Sequence, residues 1–318
     1  MEKHIILNAD DYGANDFIDK AIIKAVETGK VSSVSAFVTH ADSLQRIERL
    51  KTQFPDLGIG LHFSITSGTP VSEQHSVLTD PSQQNGVFFQ VAQNYSYKPA
   101  VKKAKEISLE LPRQLDKLKE VMGSYDAIDH VTVHHNLTNF ELKYYYKKVK
   151  LLASLGIPMR SLNAWSSSLA MVDDYDNNRF ELAPVLKQGL RLNIFNIDML
   201  AERKRKRFAR KRGLKYPDYL CDVIYGQPSK KQYDFLLNHF QGDIDDQEYS
   251  IEFMLHLGDK SQLSDDQYAN CESTHGINAG YYDTRQKEFE VLMEYPLDEK
   301  LEVLDVEKSS YRDLDFID

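Results

Sequence analysis

The chain carries only two cysteines, Cys221 and Cys271, in 318 residues. No CxxC spacing accompanies them, which excludes a disulfide scaffold, a dithiol redox site and a zinc ribbon and fits a reducing, cytoplasmic setting. No run of about 18 apolar residues occurs, so no segment reads as a membrane span. The opening, MEKHIILNAD, passes at once from a short polar lead into a strand-like apolar run, without the apolar core or cleavage site of a secretory leader. No Gly/Ser/Pro-rich linker and no internal repeat is visible. Length alone suggests about two domains, but α/β barrels reach this size as one unit, so a single domain over 1–318 is expected.

Positive charge is also scarce, the net charge being −9. An acidic chain repels polyanions, so no nucleic acid is expected as a partner, and the missing apolar run argues against a membrane. One segment departs from this balance, Arg203 to Arg212 (RKRKRFARKR), which reads as a solvated helix face within a basic insertion near 200–226.

What is present is alternation. Expected strands at His4–Ala9, Ser33–Val38, Leu57–Phe63, Ile128–His134, Pro158–Leu162 and Tyr249–Leu255 are interleaved with stretches of helical period. The helices fall at Phe17–Thr28, Ser43–Phe54, Lys102–Met122, Glu141–Leu155 and Lys230–Phe240, with a closing amphipathic stretch Tyr282–Met293. Such alternation argues βαβ units and a parallel sheet. Residues 163–226 give no clear period. The polar excursion 64–99, rich in Ser, Gln and Asn, is too long for a plain βα connection and reads as a lid or binding element.

Chemistry-bearing residues cluster at the C-terminal strand ends, where parallel α/β folds bind ligands. Asp10 and Asp11 follow the first strand in NADDYG; a lone Asp there is as readily a helix cap, but a helix needs only one. In the third strand, alternation puts Ile59, Leu61 and Phe63 on one face and Gly58, Gly60 and His62 on the other, the glycines leaving interior room for His62. In the fourth, His130, Thr132 and His134 face opposite to Val131 and Val133. Two histidines and an aspartate pair, inward at the ends of different strands, form the ligand type that binds a divalent metal and leaves positions open for water and substrate.

On these residues the chain resembles the YdjC-like carbohydrate deacetylases, relatives of the polysaccharide deacetylases. The likeness rests on LNADDYG with VSSVSAFV, on PDLGIGLHFSITSGTPV, and on shorter segments: IPMR ending in Arg160, GLKYPDYL, and IEFMLHLGD. The family's third motif, approximately Thr-His-Leu-Asp-Ser-His-Gln-His-Val, is altered here to DHVTVHHNL. Thr132, Val133 and Asn136 replace its Asp, Ser and third His, and Leu257 replaces a Pro near the C-terminus.

The resemblance implies a distorted TIM-like (β/α) barrel of the glycoside hydrolase/deacetylase type. It also implies a metal-dependent hydrolase that removes acetyl groups from small N-acetylated sugars or oligosaccharides. Asp11, His62 and His134 would hold one divalent ion, Mg2+ or Zn2+, and Asp10 would be the general base. Arg160 is expected to keep Asp10 ionised, with a surface salt bridge as the alternative, and His256 to protonate the leaving amine. Trp165, the only tryptophan, could stack on a sugar, although packing is the commoner role, and Arg285 shares with Tyr281 a family spacing that suggests substrate binding. A homodimer is allowed but not specified. The competing reading is a catalytically weakened carbohydrate-binding or regulatory protein of the same fold, motivated by the altered motif.

Overall fold

A computed structural model describes residues 3–72, 78–79, 88, 100–134, 142–161, 204–222, 228–234, 237, 249–261, 263–268 and 279–314. Trp165, Tyr281 apart from its place in a helix, Asn136 and most of the 64–99 excursion lie outside the described residues. The elements are β1 (Lys3–Tyr12), α1 (Asp16–Glu27), β2 (Ser33–Ala36), α2 (Ser43–Gln53), β3 (Gly58–Phe63), α3 (Ala100–Met122) and β4 (Val131–Val133). They continue with α4 (Leu142–Leu155), β5 (Tyr219–Asp222), β6 (Tyr249–Leu255), α5 (Ala279–Glu294), α6 (Leu297–Val303) and β7 (Glu307–Lys308).

The strands form one parallel sheet in the order β4-β3-β2-β1-β6-β5, with β7 also on β1. From β1 to β4 the neighbours run in chain order, while the late strands close on the other side of β1. This is the order of an α/β barrel, here a parallel half-barrel with flanking helices. β7 pairs with His4 and Ile5, and β2 takes over that edge of β1 from Asn8.

Period-2 alternation sorts each strand. Ile5, Leu7, Ala9, Val34, Ile59, Leu61, Phe63, Ile251, Phe253 and Leu255 join the main apolar core with the helices. The opposite face is polar: Asn8, Ser33, Ser35, His62, Thr132 and Glu252 are buried there. Ile6, Tyr311 and Leu314 form a separate small apolar cluster beside it. α1 shows why a helix forms where it does. The Asn15 side chain accepts from the Ile18 N–H at 3.1 Å, Asp16 and Asp19 occupy the first turn, Lys24 the last, and Phe17, Ile18, Ala21, Ile22 and Ala25 are buried.

Three departures from the sequence reading have local causes. Of the expected strand Pro158–Leu162, described as far as residue 161, a single bridge of Met159 with Val131 forms: the Val131 N–H bonds to the Pro158 carbonyl at 2.9 Å and the Arg160 N–H to the Val131 carbonyl at 3.1 Å, while the Met159 N–H faces the other way, to the Lys215 carbonyl at 3.0 Å. β5 and β7 were not anticipated, the first being only four residues long and the second two exposed residues without an apolar pattern. β1 runs to Tyr12, three residues past its expected end, and carries the two aspartates within it.

α3 explains how the excursion after β3 begins. Glu106, Glu110 and Gln114 recur at four-residue spacing along one face, all buried. Gln114 exchanges hydrogen bonds with the Ser64 backbone, Glu110 accepts from the Val71 and Ser72 N–H groups, and Glu106 accepts from the Leu78 N–H. Within the basic stretch, 204–210 is helical; Lys204, Arg207, Arg210, Lys211 and Arg212 are exposed, whereas Arg205 is buried over the Tyr145 ring. Among the described residues, no helix is long and apolar enough to cross a membrane.

Candidate functional site

The site is created by an irregularity in β1. Simple alternation would send Asp10 and Asp11 to opposite faces of the sheet. Instead the β1–β2 register shifts between Ala9 and Tyr12, and Asp11 adopts a left-handed backbone with φ of 73°. A bulge of this kind re-aims a side chain, and a non-glycine residue held at positive φ marks a conformation that its surroundings impose. Both carboxylates consequently lie buried among the inward histidines.

Asp11, His62 and His134 converge. Asp11 Oδ1 lies 3.0 Å from His62 Nε2 and 3.1 Å from His134 Nδ1, and the two ring nitrogens are 3.1 Å apart. Despite these approaches Asp11 Oδ1 receives no well-aligned hydrogen bond. Three lone-pair atoms turned towards one another in a buried space fit a cation better than they fit each other. Metal–ligand bonds of about 2.0–2.2 Å would span such a triangle. The donor chemistry and spacing therefore suit a divalent ion, and this is the metal-ligand group found among the described residues.

Each of the three side chains is held from behind. The Thr132 hydroxyl, register partner of His62 across β3 and β4, lies 2.7 Å from His62 Nδ1. The Phe37 ring meets both imidazoles edge-on, at centroid distances of 4.9 Å for His62 and 5.0 Å for His134. Arg285, fully buried, donates from its terminal nitrogen to Asp11 Oδ2, leaving Oδ1 turned to the histidines. Burial works to raise the Asp11 pKa, but Arg285 and His134 outweigh it and hold the carboxyl well below the usual range.

Asp10 sits beside this group. Arg160 clasps it with two hydrogen bonds of 2.7 and 2.9 Å, and the Asn8 amide donates to its Oδ1 at 2.8 Å. The same guanidinium donates from Nε to Glu252 at 2.7 Å. Burial alone would raise the Asp10 pKa; Arg160 and then His62 reverse this and keep it ionised. His256 Nε2 lies 4.0 Å from Asp10 Oδ2. Its side chain is 14% exposed, against 1% for Asp10, so His256 is where the cluster opens outward. Its backbone N–H is anchored on Glu288 at 2.9 Å.

A family model for YdjC-like proteins matches residues 4–303. The chain belongs to the YdjC-like family. Its curated relatives include a chitooligosaccharide deacetylase of Salmonella typhimurium (strain LT2), 31% identical over 140 residues, which are 44% of this chain and 52% of that protein. One from Escherichia fergusonii matches with the same identity and coverage. The matched segment thus spans about half the length of these relatives. The fold is shared with a solved structure from Enterococcus faecalis V583, described as a candidate cellobiose-phosphate cleavage protein. There the TM-score is 0.69 and the identity 19%, over 99% of this chain and 100% of that one.

Among YdjC-like positions, the structure brings together Asp10, Asp11, His62, His134, Arg160, His256 and Arg285, while Trp165 falls outside the described residues. Two members of the cluster were missed from sequence, Asn8 and Glu252. The signal was available: each is a polar residue in the inward register of an otherwise apolar strand, IILNAD and SIEFML.

Proposed function

We propose that this chain is a metal-dependent deacetylase of small N-acetylated sugars or oligosaccharides. The observation that carries the reading is the triangle of Asp11 Oδ1, His62 Nε2 and His134 Nδ1, with an ionised Asp10 clamped beside it by Arg160. The names of the partly covered relatives supply the substrate class. Asp11, His62 and His134 hold the ion, and two imidazoles with one carboxylate suit Zn2+ better than Mg2+. When bound, such an ion lowers the pKa of a water and stabilises negative charge on an acetyl oxygen.

The chain's own residues do the rest. Asp10 takes the proton from the attacking water, and Arg160 fixes the carboxylate in one orientation for that task. His256, kept uncharged at rest by burial and Arg285 and lying 4.0 Å from Asp10, relays to the departing nitrogen the proton that Asp10 took from the water. Arg285 steers Asp11 through its second oxygen rather than reaching for the sugar.

The altered third motif weakens this reading little. Thr132 replaces a carboxylate but still offers an oxygen to His62 Nδ1, Val133 lies in the apolar core, and Leu257 is fully buried there too. The test is acetate release from a panel of N-acetylated mono- and oligosaccharides with Zn2+, Mg2+ and other divalent ions. Asp11→Asn should lose the metal, whereas Asp10→Asn should keep it and lose about 10²–10⁴-fold in rate. Absence of acetate release across the panel, or the reverse metal pattern in the two variants, overturns the assignment.

A further inference from the structure

Beneath the metal ligands, the inward face of the half-barrel holds a second histidine–carboxylate pair, Asp129 and His130, both fully buried. Its position is prepared by the sequence. A Cβ on Gly60 would stand 2.5 Å from the His130 ring, and one on Gly58 would stand 2.6 Å from Asp129 Oδ2, so only glycines at these β3 positions admit the pair.

The pair is linked to Asp10 by consecutive hydrogen bonds. Asp129 Oδ2 lies 2.9 Å from His130 Nδ1, and His130 Nε2 lies 2.9 Å from the Ser35 hydroxyl. The Asn8 amide nitrogen donates to Ser35 Oγ at 2.9 Å and to Asp10 Oδ1 at 2.8 Å. With the His130 ring proton on Nδ1, facing Asp129, one direction satisfies every member. The Asp129 carboxylate accepts from His130 Nδ1–H, His130 Nε2 accepts the Ser35 hydroxyl proton, and Ser35 Oγ then accepts one Asn8 N–H while the other goes to Asp10. Asp129 is fixed in turn by the Ser33 hydroxyl and by the backbone N–H and Nε–H of Arg312. Tyr311 stacks on the His130 ring at 4.1 Å.

We propose that Asp129 and His130 are positioning residues for Asp10, acting through Ser35 and Asn8. Arg160 clamps both carboxylate oxygens, but all its bonds come from one side; the Asn8 bond to Oδ1 is the second contact that fixes the carboxylate's tilt. Ser35 holds Asn8 in the rotamer that makes this contact, and His130 holds Ser35. A buried network satisfied in a single direction has no alternative arrangement of similar energy, so it sets one orientation.

The inference rests on the base role assigned to Asp10, and its test has a readout independent of that role. Ser35→Ala removes one oxygen and cuts the chain; His130→Asn retains a partner for Asp129 but not for Ser35; His130→Gln retains an amide where Nε2 was. The Asp10 carboxyl carbon, followed by 13C NMR in the metal-free protein, should shift in Ser35→Ala and His130→Asn and stay close to its native position in His130→Gln. In acetate release the first two variants should lose about 10-fold in kcat, with KM and metal content unchanged, and His130→Gln should restore most of it. An Asp10 resonance unmoved by Ser35→Ala and His130→Asn overturns the linkage whether or not the protein deacetylates anything. A moved resonance with unaltered kcat in an active enzyme overturns the positioning role. A moved resonance in a protein that releases no acetate supports the linkage and overturns the proposed activity instead. Should His130→Asn fail to fold, Ser35→Ala alone decides.

Discussion

Asp10 and Arg160, 150 residues apart in sequence, meet through two nearly parallel hydrogen bonds of 2.7 and 2.9 Å in a space closed to solvent. The guanidinium also serves Glu252, so one buried cation balances two buried carboxylates. Such a pair adds little net stability over apolar packing, but removing one member leaves uncompensated charge.

Arg160→Ala should therefore destabilise the fold by about 3–5 kcal/mol, because both Asp10 and Glu252 lose their cationic partner. Urea denaturation of the metal-free protein measures this. A loss below about 1 kcal/mol, the range of surface pairs, would mean that water reaches the carboxylates and that the clamp is not closed.

The support of His62 gives a second prediction. Thr132→Val keeps the shape of the side chain but removes the oxygen 2.7 Å from His62 Nδ1. Partners behind a ligating imidazole fix its tautomer and ring angle, and their loss typically weakens metal binding about 10–100-fold. Titration with Zn2+ against a chelator of known affinity should show that loss with little change in thermal stability. An unchanged Kd would assign the orientation of His62 to its contact with Phe37.

These cases show what the sequence could and could not tell. His62 and His134 were legible as inward residues because period-2 alternation in GIGLHF and in HVTVH leaves no other choice once the apolar face is assigned. Asp10 and Asp11 were legible as a pair but not as neighbours on one face, since that depends on a bulge and a positive φ that alternation forbids. The partnership of Arg160 with Asp10 was expected from the family resemblance of IPMR together with the need of a buried base for a cation, with a surface salt bridge as the alternative, whereas the place of Arg285 against Asp11 was not expected. A helix residue 274 positions away carries no local mark of the carboxylate it will meet. β5 and β7 escaped notice because their pairing is supplied by neighbouring strands and not by their own apolar pattern.

A third prediction concerns acid. Burial, and then the positive charge of Arg285, push His256 down to about 3; burial and then His134 push His40 down to about 4. In the unfolded chain both titrate near roughly 6.5. A histidine lowered on folding leaves the native state with fewer bound protons. Its contribution is complete above the unfolded pKa and is lost as pH falls, at roughly 1.4 kcal/mol per pH unit for each group. Asp19, which burial raises to about 6, acts in the opposite sense between its unfolded value near 3.8 and that point. Two histidines outweigh one aspartate, so stability of the metal-free protein should decline from pH 6.5 towards 4. His256→Gln should make the decline shallower. A midpoint independent of pH over that window would show that neither histidine is held uncharged on folding, and an unaltered slope in the variant would show this of His256 alone.

The last prediction separates the role of His256 from a purely structural one. Its backbone N–H already anchors the end of β6 to Glu288, so the ring is not needed for that attachment and can be removed without cutting it. The ring points towards Asp10 at 4.0 Å and is the most exposed part of the cluster, which is where a leaving group would depart. An amine leaves a tetrahedral intermediate only when protonated, whereas an aryl oxide leaves as the anion. His256→Ala should therefore lower amide hydrolysis by about 10²–10⁴-fold and leave hydrolysis of an aryl acetate within a few-fold of the native rate. Metal content measured on the same samples guards against a trivial cause, since none of the three ligand atoms belongs to His256. If both substrates slow equally at full metal content, His256 acts on a step common to both, such as water attack. If neither slows, another group delivers the proton, and Asp10 itself, already carrying the proton taken from water, is the nearest one placed to do so.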